Sequence, residues 1–268
     1  MVEFRGKNVG DQRLTDYLKM HRPRRIAFYN TLVSDAGLAQ LVNCDRLEEV
    51  LIYSGEVGDL GFRTLCNLPR ITSILLYDCP NITDSVVRHL AAATWLHELC
   101  LCGTRISNDA MEIVGTNSTI WSLGLDDTNI DDNGIELLSP MLQLGILSMN
   151  RCSVTGIGLR RFKPSGTIDF YLKGSKVTDE SLKIMCSNEL PVKTLDLSDT
   201  AITDIGLQSL AGITQLNSLR LNNTAVTDNG IMFLAGLPVL EGLELSGTKV
   251  TEAGIAVLKR ENRRILFY

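Results

Sequence analysis

Three groups of residues in this 268-residue chain have types and spacings that could do chemistry. Cys100 and Cys102 place two thiols at i and i+2, a pair that could bind metal or be oxidised. A carboxylate recurs at Asp11, Asp35, Asp59, Asp84, Asp132, Asp179, Asp204 and Asp228, and two adjacent pairs stand at Asp126-Asp127 and Asp131-Asp132. Such rows could hold a cation or serve as acid and base. Tyr29, Tyr53 and Tyr77 repeat at intervals of 24 residues and suit recognition, since tyrosine carries much of the energy at protein interfaces. Against catalysis, the only histidines are His21, His89 and His97, and there is no nucleophile elbow, phosphate loop or HExxH motif. The expected class is therefore a non-enzyme without cofactor or metal.

The elements that must position these residues form a repeat. Residues 192–213 read VKTLDLSDTAITDIGLQSLAGI, 216–237 read LNSLRLNNTAVTDNGIMFLAGL, and 240–258 read LEGLELSGTKVTEAGIAVL. Walking back from Thr248, the same frame recurs at Thr224, Thr200, Ser175, Cys152, Thr128, Thr104, Cys79, Gly55, Thr31 and Lys7, in steps of 23 to 25 residues. That makes eleven copies, with a further strand expected at Ile265–Phe267. The LxL core has period two and predicts a short strand with one buried face. The TDxGLxxL part has helical spacing, with Ile202, Leu207 and Leu210 facing the core in the copy anchored on Thr200.

Thr203 is placed to cap that helix, and Asp204 falls in its first turn, where the helix dipole favours an anion. Recurrence of this Asp in copy after copy favours a structural capping role over a metal-binding strip. Gly37, Gly61, Gly134, Gly158, Gly206, Gly230 and Gly254 are expected to let each helix approach its neighbour, with Arg13, Val86, Ala110 and Ser181 as departures. Pro164, Ser165 and Gly166 are expected to cut one helix short. A copy cannot bury its apolar face alone, so copies must stack and pair their strands in parallel.

This frame resembles the leucine-rich repeats, and within them the cysteine-containing subclass with its Thr-Asp-x-Gly-Leu helix start; Cys79 and Cys152 stand where that subclass often has Cys or Asn. The resemblance covers essentially the whole chain. It implies an α/β solenoid of about eleven strand–helix units in one domain, 1–268, curved as a horseshoe with a parallel sheet on the concave face and helices on the convex face. It further implies a binding scaffold. Such repeats resemble the substrate-binding part of F-box proteins, although no F-box segment is expected ahead of Val2, and they also resemble bacterial repeat proteins.

Function then has to be read from the residues between the buried strand positions. The post-strand column runs Arg5, Tyr29, Tyr53, Tyr77, Cys102, Asp126, Asn150 and Lys173. The mid-strand column includes Leu51, Leu75, Cys100, Gly124, Ser148 and Tyr171. The expected partner-binding surface is Tyr29, Tyr53, Tyr77, Leu51, Leu75, Cys100, Cys102, Asp126 and Tyr171, concentrated in the N-terminal half, where an apolar patch would be exposed. The alternative is that the tyrosines only stack to support the sheet. Cys100 and Cys102 are expected roughly 6–7 Å apart along the strand, too far for a disulfide, with Asp126 the sole further metal donor nearby. His97, Trp121 and Trp95 are expected on the rim, either extending the patch or packing locally. An acidic stretch (Asp126, Asp127, Asp131, Asp132, Glu136) precedes a basic one from Arg151 to Lys183, which could steer a partner of mixed polarity.

The net charge of −5 gives no global pull toward nucleic acid, and no run of apolar residues is long enough to span a bilayer. No signal-peptide pattern opens the chain, and seven scattered cysteines suit reduced thiols in a cytoplasm. The partner is expected to be another protein, with no nucleic acid or membrane. The chain is expected to be a monomer, or weakly self-associated through the edge strand at Val2–Arg5. Beside a plain interaction module stand two alternatives: a substrate-recognition subunit of a ubiquitin ligase (or a bacterial effector mimicking one), and a structural repeat protein without a specific partner.

Overall fold

A computed structural model describes residues 1–187 and 190–268. Among these, twelve strands alternate with helices, and the strands follow one another in chain order. Two compact units divide the chain, Met1–Asn129 and Ile130–Tyr268.

The first unit holds β1 (Val2–Arg5), β2 (Arg25–Tyr29), β3 (Glu49–Tyr53), β4 (Ser73–Tyr77), β5 (Glu98–Cys102) and β6 (Ser122–Gly124), paired in parallel. Their register is the repeat itself: Tyr29 pairs with Tyr53, Tyr53 with Tyr77, and Tyr77 with Cys102. The inward side chains Ile26, Phe28, Val50, Ile52, Ile74, Leu76, Leu99 and Leu101 are buried against Leu14, Leu38, Phe62, Leu65 and Leu90 from the helices. Each such side chain contributes about 1.5–3 kcal/mol by leaving water.

The second unit repeats this scheme with β7 (Ile146–Ser148), β8 (Ile168–Tyr171), β9 (Val192–Asp196), β10 (Ser218–Arg220), β11 (Gly242–Glu244) and β12 (Leu266–Phe267). As the proline predicts, the helical turn Ile157–Arg161 is a short 3₁₀ segment that stops before Pro164, and the β8–β9 register shifts between Ile168 and Asp169.

Two regularities join one repeat to the next. First, a residue in the left-handed region closes every strand turn: Asn30, Ser54, Asp78, Asp127, Arg151, Asp199 and Asn223, with Gly6, Gly103, Gly174 and Gly247 at the same point of other copies. Asn, Asp and Gly tolerate that conformation best. Second, the helix-start Asp does more than face its own dipole. Asp179 accepts from the backbone N–H of Thr203 (2.8 Å) and from its hydroxyl (2.6 Å), in the following repeat. Asp204 does the same to Thr227, Asp228 to Thr251, Asp84 to Ser107 and Asp11 to Ser34. Thr203 in turn caps its own helix by accepting from Ile205 N–H at 3.2 Å, as its position predicts.

The recurring glycine makes room for this lock. A Cβ on Gly206 would lie 2.4 Å from Asp179 Oδ1. At Gly37, Gly61, Gly206, Gly230 and Gly254 the close approach is to the neighbour's carboxylate, and at Gly158 it is to the backbone carbonyl of Asp132. Where Val86 replaces the glycine, Asp59 still reaches Thr83 through N–H and hydroxyl and adds Ser85.

Candidate functional site

The sheet turns its second face away from the helices, and the mid-strand and post-strand columns lie there. In the first unit this face carries the tyrosine row. Tyr53 is 43% exposed, and Tyr29, Tyr77, Leu51 and Leu75 are half-buried beside it. The Tyr53 and Tyr77 rings stack with centroids 6.0 Å apart and planes at 29°. At the other end of the row the Arg5 guanidinium sits 4.0 Å over the Tyr29 ring, while Glu3 holds the same guanidinium at 2.7 Å. The row is thus partly self-supporting and partly open, with Tyr53 its most exposed tyrosine. Ala27, in the mid-strand column before Leu51, is fully buried.

The row ends on Cys100 and Cys102, and here the structure corrects two expectations. Both are buried, at 5% and 7% exposure, so they do not lie open beside the tyrosines. Their sulfurs are also not separated by the strand repeat but are 2.9 Å apart. The strand repeat fixes the spacing of Cα atoms, not of sulfurs, and these two side chains lean together. Neighbouring β6 leaves the space they fill: a Cβ on Gly124 would lie 3.2 Å from each sulfur. On the other side β4 sets Leu75 opposite Cys100 and Tyr77 opposite Cys102. Burial pushes the Tyr77 phenol well above its ordinary value, and the adjoining thiols and Asp126 carboxylate add to the shift, so it remains a neutral donor. Asp126 follows β6 on the same face and is half-buried.

Tyr171 belongs to the second unit, where its half-buried ring faces the Arg220 guanidinium at 5.8 Å. Arg220 is bound to Glu244 at 2.7 Å and lies 3.9 Å from Asp196, and Asn222 donates to Glu244 at 2.7 Å. Tyr171 thus shares with Tyr29 an ion-paired arginine against its ring, and it belongs to the second unit rather than to the tyrosine row of the first.

Trp95, His97 and Trp121 are exposed, Trp95 at 64% and Trp121 at 41%. They stand ahead of β5 and β6, at the opposite end of the strands from the tyrosines, and do not extend that row. In the second unit Glu136 pairs with Arg160 at 3.2 Å and Arg161 at 3.1 Å, so part of the opposite charge read from the sequence is satisfied locally. Among the described residues, no three His, Cys, Asp or Glu side chains converge to hold a metal ion, and no helix is long and apolar enough to cross a membrane.

Three features escaped the sequence reading: the sulfur contact, the Asp-to-Thr lock and the left-handed strand ends. The last had a signal, because Gly, Asn, Ser and Asp fill most of that column. The lock had only the co-occurrence of Asp in one copy with Gly in the next.

Residues 191–211 match the family model described as Leucine Rich repeat. No curated protein matches the sequence. Among solved structures, an internalin from Listeria monocytogenes superposes with a TM-score of 0.60 at 19% identity, covering 90% of this chain and 72% of that one. A plant peptide hormone receptor, RGFR1, in complex with RGF2, superposes with a TM-score of 0.52 at 13% identity, covering 97% of this chain and 41% of the receptor.

Proposed function

We propose that this chain, a leucine-rich repeat protein, is a protein-recognition module that engages its partner on the open sheet face of the first unit. The contact residues are Tyr53 at the centre, Tyr29 and Tyr77 on either side, Leu51 and Leu75 beneath, and Asp126 at the margin. Cys100 and Cys102 close the end of that row as buried side chains. The observation that carries this reading is the exposure of Tyr53 within a row of half-buried aromatic and aliphatic side chains. A soluble protein leaves such a contiguous apolar surface open chiefly where something binds it, and tyrosine and arginine, here Arg5 over Tyr29, are the side chains that dominate interface energies. Two distant proteins of the same fold support the class: an internalin, and a receptor solved in complex with RGF2.

The test is affinity capture from cells of the source organism with three baits: wild type, Tyr53→Ala/Tyr77→Ala, and the helix-side control Leu60→Ala, whose side chain is 68% exposed. A partner held by wild type and by the control, and lost with the double variant, supports the assignment. A partner retained by the double variant, or lost with the control, removes it.

A further inference from the structure

We infer that Cys100 and Cys102 form a redox-active dithiol, a site at which a hydroperoxide converts two thiols reversibly into an internal disulfide. This does not rest on the recognition reading. Four observations carry it. Both side chains project from one face of β5, with their sulfurs already in contact at 2.9 Å. The Cys100 sulfur also donates to the Leu76 carbonyl at 3.4 Å, so it is held in place rather than free to rotate away. On the β6 side stands Gly124, where any side chain would press on both sulfurs. Finally, packing does not require cysteine here, since on this face the same two columns carry Leu, Tyr, Ser and Asn in other copies.

The environments of the two thiols differ in a useful way. The hydrogen bond between the two sulfurs draws Cys100 below its ordinary value against the effect of burial, while Cys102 is raised, first by that same contact and then by burial. Of the two, Cys100 is the thiol that ionises first. By contrast, burial alone pushes Cys66 and Cys186 up to about 12, and burial is the main cause that takes Cys79 to about 11. Cys66 and Cys79 are buried and Cys186 half-buried, and thiols raised in this way are the poorer nucleophiles.

The chemistry balances. Cys100 loses its proton and its thiolate attacks the peroxide ROOH, the O–O bond breaks, the sulfur becomes a sulfenic acid, and the departing RO⁻ takes up the proton Cys100 released and leaves as ROH. Cys102 then attacks that sulfur, the S–S bond forms, and water leaves with the Cys102 proton. Two thiols are oxidised by two electrons and one peroxide is reduced. A dithiol reductant reverses the change by exchange.

Trypsin supplies a direct readout, because the peptide His89–Arg105 contains Cys100 and Cys102 and no other cysteine. The folded full-length chain is treated with hydrogen peroxide, denatured in iodoacetamide, digested and weighed, with and without a later dithiothreitol step. The expected product is this peptide unalkylated and lighter by two hydrogens, formed before the other five cysteines lose alkylation and restored by dithiothreitol. In Cys102→Ser, Cys100 should instead accumulate as a sulfenic acid that dimedone captures. In Cys100→Ser, Cys102 should remain alkylatable, with circular dichroism verifying that both variants fold. A peptide that stays doubly alkylated while other cysteines react, or that gains oxygen without forming the bridge, overturns the proposal.

Discussion

Tyr53 and Tyr77 are equivalent in the repeat, yet their environments set them apart. Tyr53 gives up less when truncated: it is 43% exposed and its described ring contact is the stack on Tyr77. Tyr53→Ala should therefore cost about 0.5–1.5 kcal/mol of folding stability, the range for an aromatic pair, read by urea titration. Tyr77→Ala should cost more, because Tyr77 is the more buried of the two and its loss uncovers the buried thiols beside it. Equal losses would mean that the difference in burial has no energetic consequence. At this scale the sequence announced the tyrosines by their spacing. It did not announce the meeting of the two sulfurs, because period two determines which face a side chain takes but not how it leans.

At the scale of the element, the strand and helix of each copy were legible because LxL and TDxGLxxL carry different periods within one short frame. What joins the copies was not, since Asp179 and Thr203 lie 24 residues apart and local spacing says nothing of their contact. The lock makes a testable prediction. Gly206 sits inside a helix, where Ala is ordinarily better by about 1 kcal/mol. Beside Asp179 the added methyl collides with a carboxylate at 2.4 Å, so Gly206→Ala should destabilise the wild-type chain. Asp179→Ala should also destabilise, by about 1–3 kcal/mol, because it leaves the Thr203 N–H and hydroxyl without their acceptor. In the Asp179→Ala background the collision is gone, and Gly206→Ala should turn neutral or stabilising. A double-mutant cycle measured by denaturant unfolding decides: strict additivity would show that the glycine is not there for the carboxylate.

At the scale of the whole molecule, the same lock recurs along the chain, and two of its carboxylates, Asp59 and Asp228, impose an acid sensitivity. Asp59 sits below its ordinary value of 3.8 although burial pushes the other way, because hydrogen bonds from Ser85 and Thr83 outweigh it; Asp228 is lowered by the side chain and backbone of Thr251. A carboxylate whose value is depressed in the folded state stabilises the fold above its unfolded value, and that contribution fades as pH falls through the folded one. The melting temperature should therefore hold steady from neutrality to about pH 5 and fall as pH drops through 4 and below. Thr251→Val should flatten part of that fall, and a melting temperature that rises on acidification from 5 to 3 would contradict the account.

The central claim concerns the face that meets the partner, and side-chain oxidative footprinting of the captured complex tests it most directly. In the free protein Tyr53 and the 75% exposed Tyr268 should both be labelled readily. The account predicts that, in the complex, labelling of Tyr53 drops several-fold while that of Tyr268 is unchanged. Undiminished labelling of Tyr53 in a saturated complex would contradict it.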